Sequence, residues 1–234
     1  MAKWLIPAPV VPGKEGELKK IPEHMRGHIA DYEESRKRAG ATMERVYAMQ
    51  TPQGTIVVAY FEGDRGLAGT IQAFATSGLA FDKWFFQKLS EVHGIDFTKP
   101  PAGPPPEELF DWADPAVKAR KRGLAFAGPI AANKVQKGRD FTREAFVKRE
   151  AELRESRRKI GGSREYGMLH HTPMGAFACV YLEGDDPKAA NAAFARSASP
   201  YDAWFKNEAG DVMGTDFNQP LPPIEEIFSW EAKG

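Results

Sequence analysis

Ser35-Arg36-Lys37-Arg38-Ala39-Gly40 recurs as Ser156-Arg157-Arg158-Lys159-Ile160-Gly161, and the reading of the whole chain turns on that recurrence. The match runs without a gap through Thr51-Pro52-Gln53-Gly54 against Thr172-Pro173-Met174-Gly175, as far as Tyr60-Phe61-Glu62-Gly63-Asp64 against Tyr181-Leu182-Glu183-Gly184-Asp185. It resumes with Ala73-Phe74-Ala75 against Ala193-Phe194-Ala195 and Phe81-Asp82-Lys83-Trp84-Phe85 against Tyr201-Asp202-Ala203-Trp204-Phe205. Both copies close on Gly94-Ile95-Asp96-Phe97 or Gly214-Thr215-Asp216-Phe217. A proline-rich stretch follows, then Leu109-Phe110-Asp111-Trp112 or Ile227-Phe228-Ser229-Trp230. Identities at a steady offset across segments of different expected structure mark a tandem duplication. The repeats are expected at 1–112 and 124–234, with a linker at 113–123.

Each copy begins with a short apolar run that reads as a strand, Trp4-Leu5-Ile6 or Leu124-Ala125-Phe126. A charged segment with apolar residues at helical spacing follows, His24 to Ala39 and Phe141 to Ile160, and Gly40 or Gly161 stops it. Two β-rich runs come next, joined by Thr-Pro-x-Gly, whose proline and glycine suit a tight hairpin turn. The second run is apolar on both faces and is expected to be an interior strand. A second helix is predicted at about 68–89 and 187–209, and Gly-x-Asp-Phe is expected to open a last strand or extended stretch. The order β-α-β-β-α-β is that of the ferredoxin-like split unit. One such sheet carries helices on one face only, so two copies in one chain are expected to close face to face around a shared interior.

In that order of elements the chain resembles the dimeric α+β barrel superfamily, which includes ethyl tert-butyl ether degradation-type proteins, antibiotic-biosynthesis monooxygenases, stress-responsive barrel proteins and the tandem chlorite dismutase group. The resemblance implies an α+β fold in which two ferredoxin-like repeats form an intramolecular barrel. It covers nearly the whole chain and selects no single activity.

If the two Thr-Pro-x-Gly turns have two central residues, the hairpin register follows. His170 then lies opposite Phe177, Met168 opposite Cys179 and Tyr166 opposite Tyr181; in the first copy Met49 faces Ile56, Tyr47 faces Val58 and Arg45 faces Tyr60. Strand side chains alternate, so these residues share one face. The other face, with Val46, Ala48, Val57, Ala59, Gly167, Leu169, Ala178 and Val180, is small and aliphatic, as packing beneath helices requires. The large polar-aromatic face is therefore assigned to the interior, where Tyr47, Met49, Tyr60, Tyr166, Met168, Phe177, Cys179 and Tyr181 are expected to line a site for a small hydrophobic molecule. His170 stands where the first copy has Met49, so the copies differ where chemistry could reside; an imidazole there could act as general acid or base near neutral pH.

Composition excludes several classes. Lys plus Arg and Asp plus Glu are both 32, giving no net charge, so no overall field draws the chain to nucleic acid or an anionic membrane. The basic clusters at 36–38, 118–122 and 154–159 are expected to be solvated helix or linker faces. The single cysteine, Cys179, excludes an internal disulfide and fits the cytoplasm. No run is long and apolar enough to span a membrane. His24 and His28 share a helix face but lack a third metal ligand. Asp96 and Asp216, duplicated after glycine, are expected to serve turns or caps, and no phosphate-cradling glycine loop or nucleophile elbow is present.

Three functions remain open. The first is an enzyme without nucleotide or metal, oxygenase-, isomerase- or lyase-like, that acts on a small aromatic or polyketide-like molecule with His170 as acid/base. The second, implied by the chlorite dismutase resemblance, is a haem protein with His170 as axial ligand. The third is a non-catalytic binding or stress-response module. The chain is expected to act as a monomeric pseudo-dimer or a homodimer.

Overall fold

The computed structural model describes residues 1–97, 99, 103–172 and 175–233. It is a mixed α+β chain of two compact units, Met1–Ala102 with Glu225–Gly234, and Gly103–Ile224. Numbering in chain order, the first unit holds β1 (Ala2–Pro9), α1 (Glu15–Gly27), α2 (Ile29–Ala39), β2 (Ala41–Thr51), β3 (Gly54–Gly63), α3 (Gly66–Thr76) and α4 (Ala80–His93). The second holds β4 (Glu107–Ala113), β5 (Arg122–Ile130), α5 (Val135–Arg143), α6 (Glu150–Lys159), β6 (Gly162–Thr172), β7 (Gly175–Gly184), α7 (Pro187–Arg196) and α8 (Pro200–Met213), and β8 (Ile224–Glu231) ends the chain.

Each sheet has four strands, in the orders β1-β3-β2-β8 and β4-β6-β7-β5. The last strand of each sequence repeat thus lies at the edge of the sheet built by the other repeat. Repeats and compact units have different boundaries: β4 falls within residues 1–112 yet pairs with β6, and Trp112 lies opposite Glu165. Backbone pairing is indifferent to which copy supplies a strand, so the repeat pattern alone could not reveal this exchange. Gly167 assists it. A Cβ there would collide with the ring of Phe110, which lies flat over β6 and stacks on Phe146 at 3.8 Å between centroids.

The helices start earlier and break more often than periodicity suggests. α1 begins at Glu15 and carries Pro22 inside it, where the missing N–H forfeits one helical bond; Leu18, Ile21 and Met25 on the buried face hold it in place. The expected long second helices are each two, α3 with α4 and α7 with α8, and a carboxylate sets each break. Asp202 accepts hydrogen bonds from Ser197 at 2.5 Å and Ser199 at 2.8 Å, while the Ser199 hydroxyl caps α8 by accepting from the Asp202 N–H. Asp202 also accepts from Ser156 on α6 at 2.5 Å, and Asp82 repeats the arrangement with Ser35 and Ser77.

Gly-x-Asp-Phe opens no strand. Gly94 and Gly214 are left-handed C-caps of α4 and α8, and Asp216 folds the following turn by accepting from the Asn218 N–H at 2.9 Å. The repeated Gly-Asp at the ends of β3 and β7 has a steric reason. A Cβ on Gly63 or Gly184 would run into the carbonyl oxygen of Gly40 or Gly161. Both hairpins close as expected, with Thr51 opposite Gly54 and Thr172 opposite Gly175; Pro173 and Met174, the central residues of the second turn, lie outside the described residues.

The basic clusters are not uniformly solvated, contrary to expectation. Arg36 is fully buried against Glu44 at 2.6 Å, and Arg157 is buried against Glu165 at 2.5 Å. Arg120 sits 2.5 Å from Glu183, whose side chain has no exposure. Burial of an acid on a strand requires a cation close by, and these arginines supply it. No helix among the described residues is long and apolar enough to cross a membrane.

Candidate functional site

The hairpins pair the singled-out residues as the turn geometry predicts: Tyr47 with Val58, Met49 with Ile56 and Arg45 with Tyr60 in one sheet, Tyr166 with Tyr181, Met168 with Cys179 and His170 with Phe177 in the other. Alternation puts the small residues on the helix side, where Ala48 and Val57 join α1, α2 and α4 in one core. Tyr47, Met49 and Tyr60 therefore share the helix-free face of the first sheet, and the other six share that of the second. Phe177 is half-buried and the rest are buried, Tyr47 and Cys179 completely.

The helix-free faces are more charged than the sequence pattern implied. Burial, with the carboxylate of Glu226, pushes the Tyr47 phenol well above its ordinary range. Burial, with Glu108 and Asp111, does the same to Tyr166. Glu226 and Glu108 arrive on β8 and β4, so the exchanged strands supply both carboxylates. Tyr181 donates to Glu183 at 2.8 Å, and burial alone drives the Cys179 thiol far up, which makes it a poor nucleophile. His24 stacks on His28 at a centroid distance of 4.2 Å and meets Trp84 in a tilted contact at 3.8 Å. No group of three or more potential metal-binding side chains occurs among the described residues.

A cavity of about 120 Å³ lies elsewhere, within the second unit between its sheet and helices α5 to α8. None of the nine residues singled out in the sequence lines it: His170 and its neighbours project from the opposite face of the sheet. The walls are apolar and rich in phenylalanine, including Phe126, Phe141, Phe146, Phe194 and Phe205. The first unit packs one continuous core on its helix side. In the second unit the corresponding core falls into two clusters, around Phe146 and around Val212, and residues of both clusters line the cavity.

Repeat divergence explains the gap. Leu18, Val57 and Leu89 of the first copy correspond to Gly138, Ala178 and Ala209 in the second, and all three smaller residues stand on the cavity wall. The second copy also has one added residue between Lys134 and Ser156, absorbed as a single π-helical segment at Glu144–Lys148 beside Phe146.

One wall is polar. Arg157 and Glu165 line the cavity, with the guanidinium held between the rings of Phe194 and Phe205, 4.8 Å from each centroid. Burial opposes the charge on Arg157, but Glu165 more than offsets it and holds the guanidinium protonated. Motif reading missed this pair because Arg157 lies in a basic run expected to face solvent and Glu165 belongs to no motif. The signal lay in the neighbouring substitutions of large residues by Gly and Ala.

No known protein-family model matches the chain, and no curated protein matches it. Among solved structures it is similar to an anthrone oxidase-like protein, with 14% identity over 96% of this chain and 92% of the other at a TM-score of 0.52. It is also similar to a Fusobacterium nucleatum protein assigned as a monooxygenase, with 10% identity over 98% and 96% of the two chains at a TM-score of 0.49. The likeness to the first is one of fold.

Proposed function

We propose that the protein binds and processes a small hydrophobic, aromatic molecule in the cavity of the second unit. One observation carries this reading: the void opens where three large residues of the first repeat are Gly138, Ala178 and Ala209 in the second. A concave, mostly apolar pocket with a few convergent polar groups is what a small-molecule site requires. An anthrone is a fused-ring aromatic, and the name of the anthrone oxidase-like neighbour points the same way, although a shared fold hosts many chemistries. Calorimetric titration with 2-methylnaphthalene tests the reading, with Ala209→Leu, the first repeat's own residue, as the blocking variant. Binding by the native chain and its loss in Ala209→Leu are expected; no binding, or equal binding by both, would overturn it.

A second reading places chemistry on the helix-free face, with His170 as general acid/base and no cofactor. It is favoured by the burial of His170 on the same face of its sheet as Tyr166 and Tyr181 and by the difference from Met49. Once a turned-over substrate is in hand, His170→Met decides it. Lost turnover in His170→Met with full turnover in Ala209→Leu assigns the chemistry to this face; the reverse pattern assigns it to the cavity.

A further inference from the structure

Glu44 and Glu165 hold the same place in the two repeats but have different partners. Glu44 accepts the Tyr32 hydroxyl at 2.7 Å and the Arg36 Nε at 2.6 Å. Among the described residues Glu165 accepts from Arg157 alone, at 2.5 Å from Nε and 3.4 Å from Nη2. The counterpart of Tyr32 is Leu153, fully buried and without a donor; Tyr201, which stands where the first repeat has Phe81, interacts electrostatically with Glu165 but gives its hydroxyl to the Ala145 carbonyl at 3.2 Å. Tyr32 meets Phe228 edge-on at 5.0 Å in the first unit; beside Phe110, the counterpart of Phe228, stands Phe146, which offers no hydroxyl either. A carboxylate has about four acceptor positions, and this one stands on the wall of the cavity.

We infer that the ligand supplies to Glu165 the hydroxyl that Tyr32 gives to Glu44 in the first repeat: the cavity takes a phenol or hydroxylated aromatic whose O–H donates to Glu165. Arg157, fixed between two phenylalanine rings and bonded to Ser156 at 3.1 Å, holds the carboxylate in position. The apolar walls take the ring, and Glu165 distinguishes a hydroxylated ring from a bare one. This rests on the cavity being the ligand site.

The test compares 2-naphthol with 2-methylnaphthalene, which differ by a hydroxyl in place of a methyl, by calorimetry on the full chain and on Glu165→Gln. A hydrogen bond to a charged acceptor predicts that the native chain prefers 2-naphthol by about tenfold or more. In Glu165→Gln the ratio of the two affinities is expected to collapse toward parity. Equal affinity of the native chain for both probes would overturn the inference and leave the cavity reading standing; so would a preference that survives in Glu165→Gln. Binding of neither probe would remove the cavity reading and this inference with it. If Glu165→Gln does not fold, Leu153→Tyr restores the first repeat's own donor and makes the same test: the preference for 2-naphthol disappears if the inference holds and persists if it does not.

Discussion

Asp202 accepts a hydrogen bond from Ser156 at 2.5 Å, so the first turn of α8 is tied to the last turns of α6. The same carboxylate takes Ser197 and Ser199 and lies 3.7 Å from Arg157. These bonds hold the Asp202 carboxyl below its ordinary range although burial works against its charge. Replacing Asp202 by Ala orphans three hydroxyls and leaves Arg157 with one carboxylate. We expect a loss of about 3 kcal/mol or more, read as an earlier midpoint in urea denaturation; Asp82→Ala is expected to act alike in the first unit.

Filling the void should stabilise the fold. Ala209→Leu restores the residue that the first repeat has at this place, and each methylene buried without strain contributes about 0.8 kcal/mol. A gain of about 1–2 kcal/mol is expected, measured as a higher Tm in calorimetry. A fall in Tm would mean that the walls cannot accept the side chain and that the cavity is smaller than described.

Arg120 and Glu183 form an ion pair with the acid fully buried and Arg164 at 3.3 Å from its other oxygen. Arg120→Met removes the closer cation and is expected to cost about 2–4 kcal/mol. Glu183→Gln on top of it should recover part of that loss, because the unbalanced charge goes too. A double-mutant cycle showing simple additivity would refute the coupling.

Acid sensitivity is expected from Asp114. It accepts two hydrogen bonds from Arg158, at 2.6 and 2.8 Å, and one from the Ala116 N–H. The Arg158 bonds lead in lowering its pKa to about 2. A carboxyl depressed in the folded state adds stability that is present above its unfolded pKa of about 3.9 and is lost as pH falls toward 2. Because Arg158 is half exposed, screening reduces the contribution to about 1 kcal/mol. Asp114→Asn should therefore lower stability at neutral pH and flatten its decline between about pH 4 and pH 2, as followed by circular dichroism. An unchanged acid limb would contradict this.

Much of the fold was legible because local chemistry repeats faithfully. Thr-Pro-x-Gly sets the hairpin register, and strand alternation then sorts Tyr47 from Ala48 and His170 from Leu169 with no knowledge of what covers either face. The helix breaks at Ser77–Leu79 and Ser197–Ser199 were hidden because apolar spacing continues across them; their cause, a serine–aspartate cluster, joins residues 47 positions apart in the first repeat and 46 in the second. The paired arginines were misread for a related reason: Arg36 and Arg157 lie in basic runs that pattern reading assigns to solvent, and only the glutamates of the adjacent strands show otherwise.

The sequence by itself determined the duplication, the α+β elements, the hairpin pairing and the faces on which His170 and the tyrosines lie, because turns and alternation are properties of neighbours along the chain. Tertiary structure alone decided which sheet edge receives Phe110 and Trp112, since backbone hydrogen bonds do not record which repeat supplies them. It also decided where empty space lies, because a void is set by the summed volumes of side chains from many elements. Gly138, Ala178 and Ala209 are separately unremarkable in a sequence, and only the fold brings them to one cavity with Glu165.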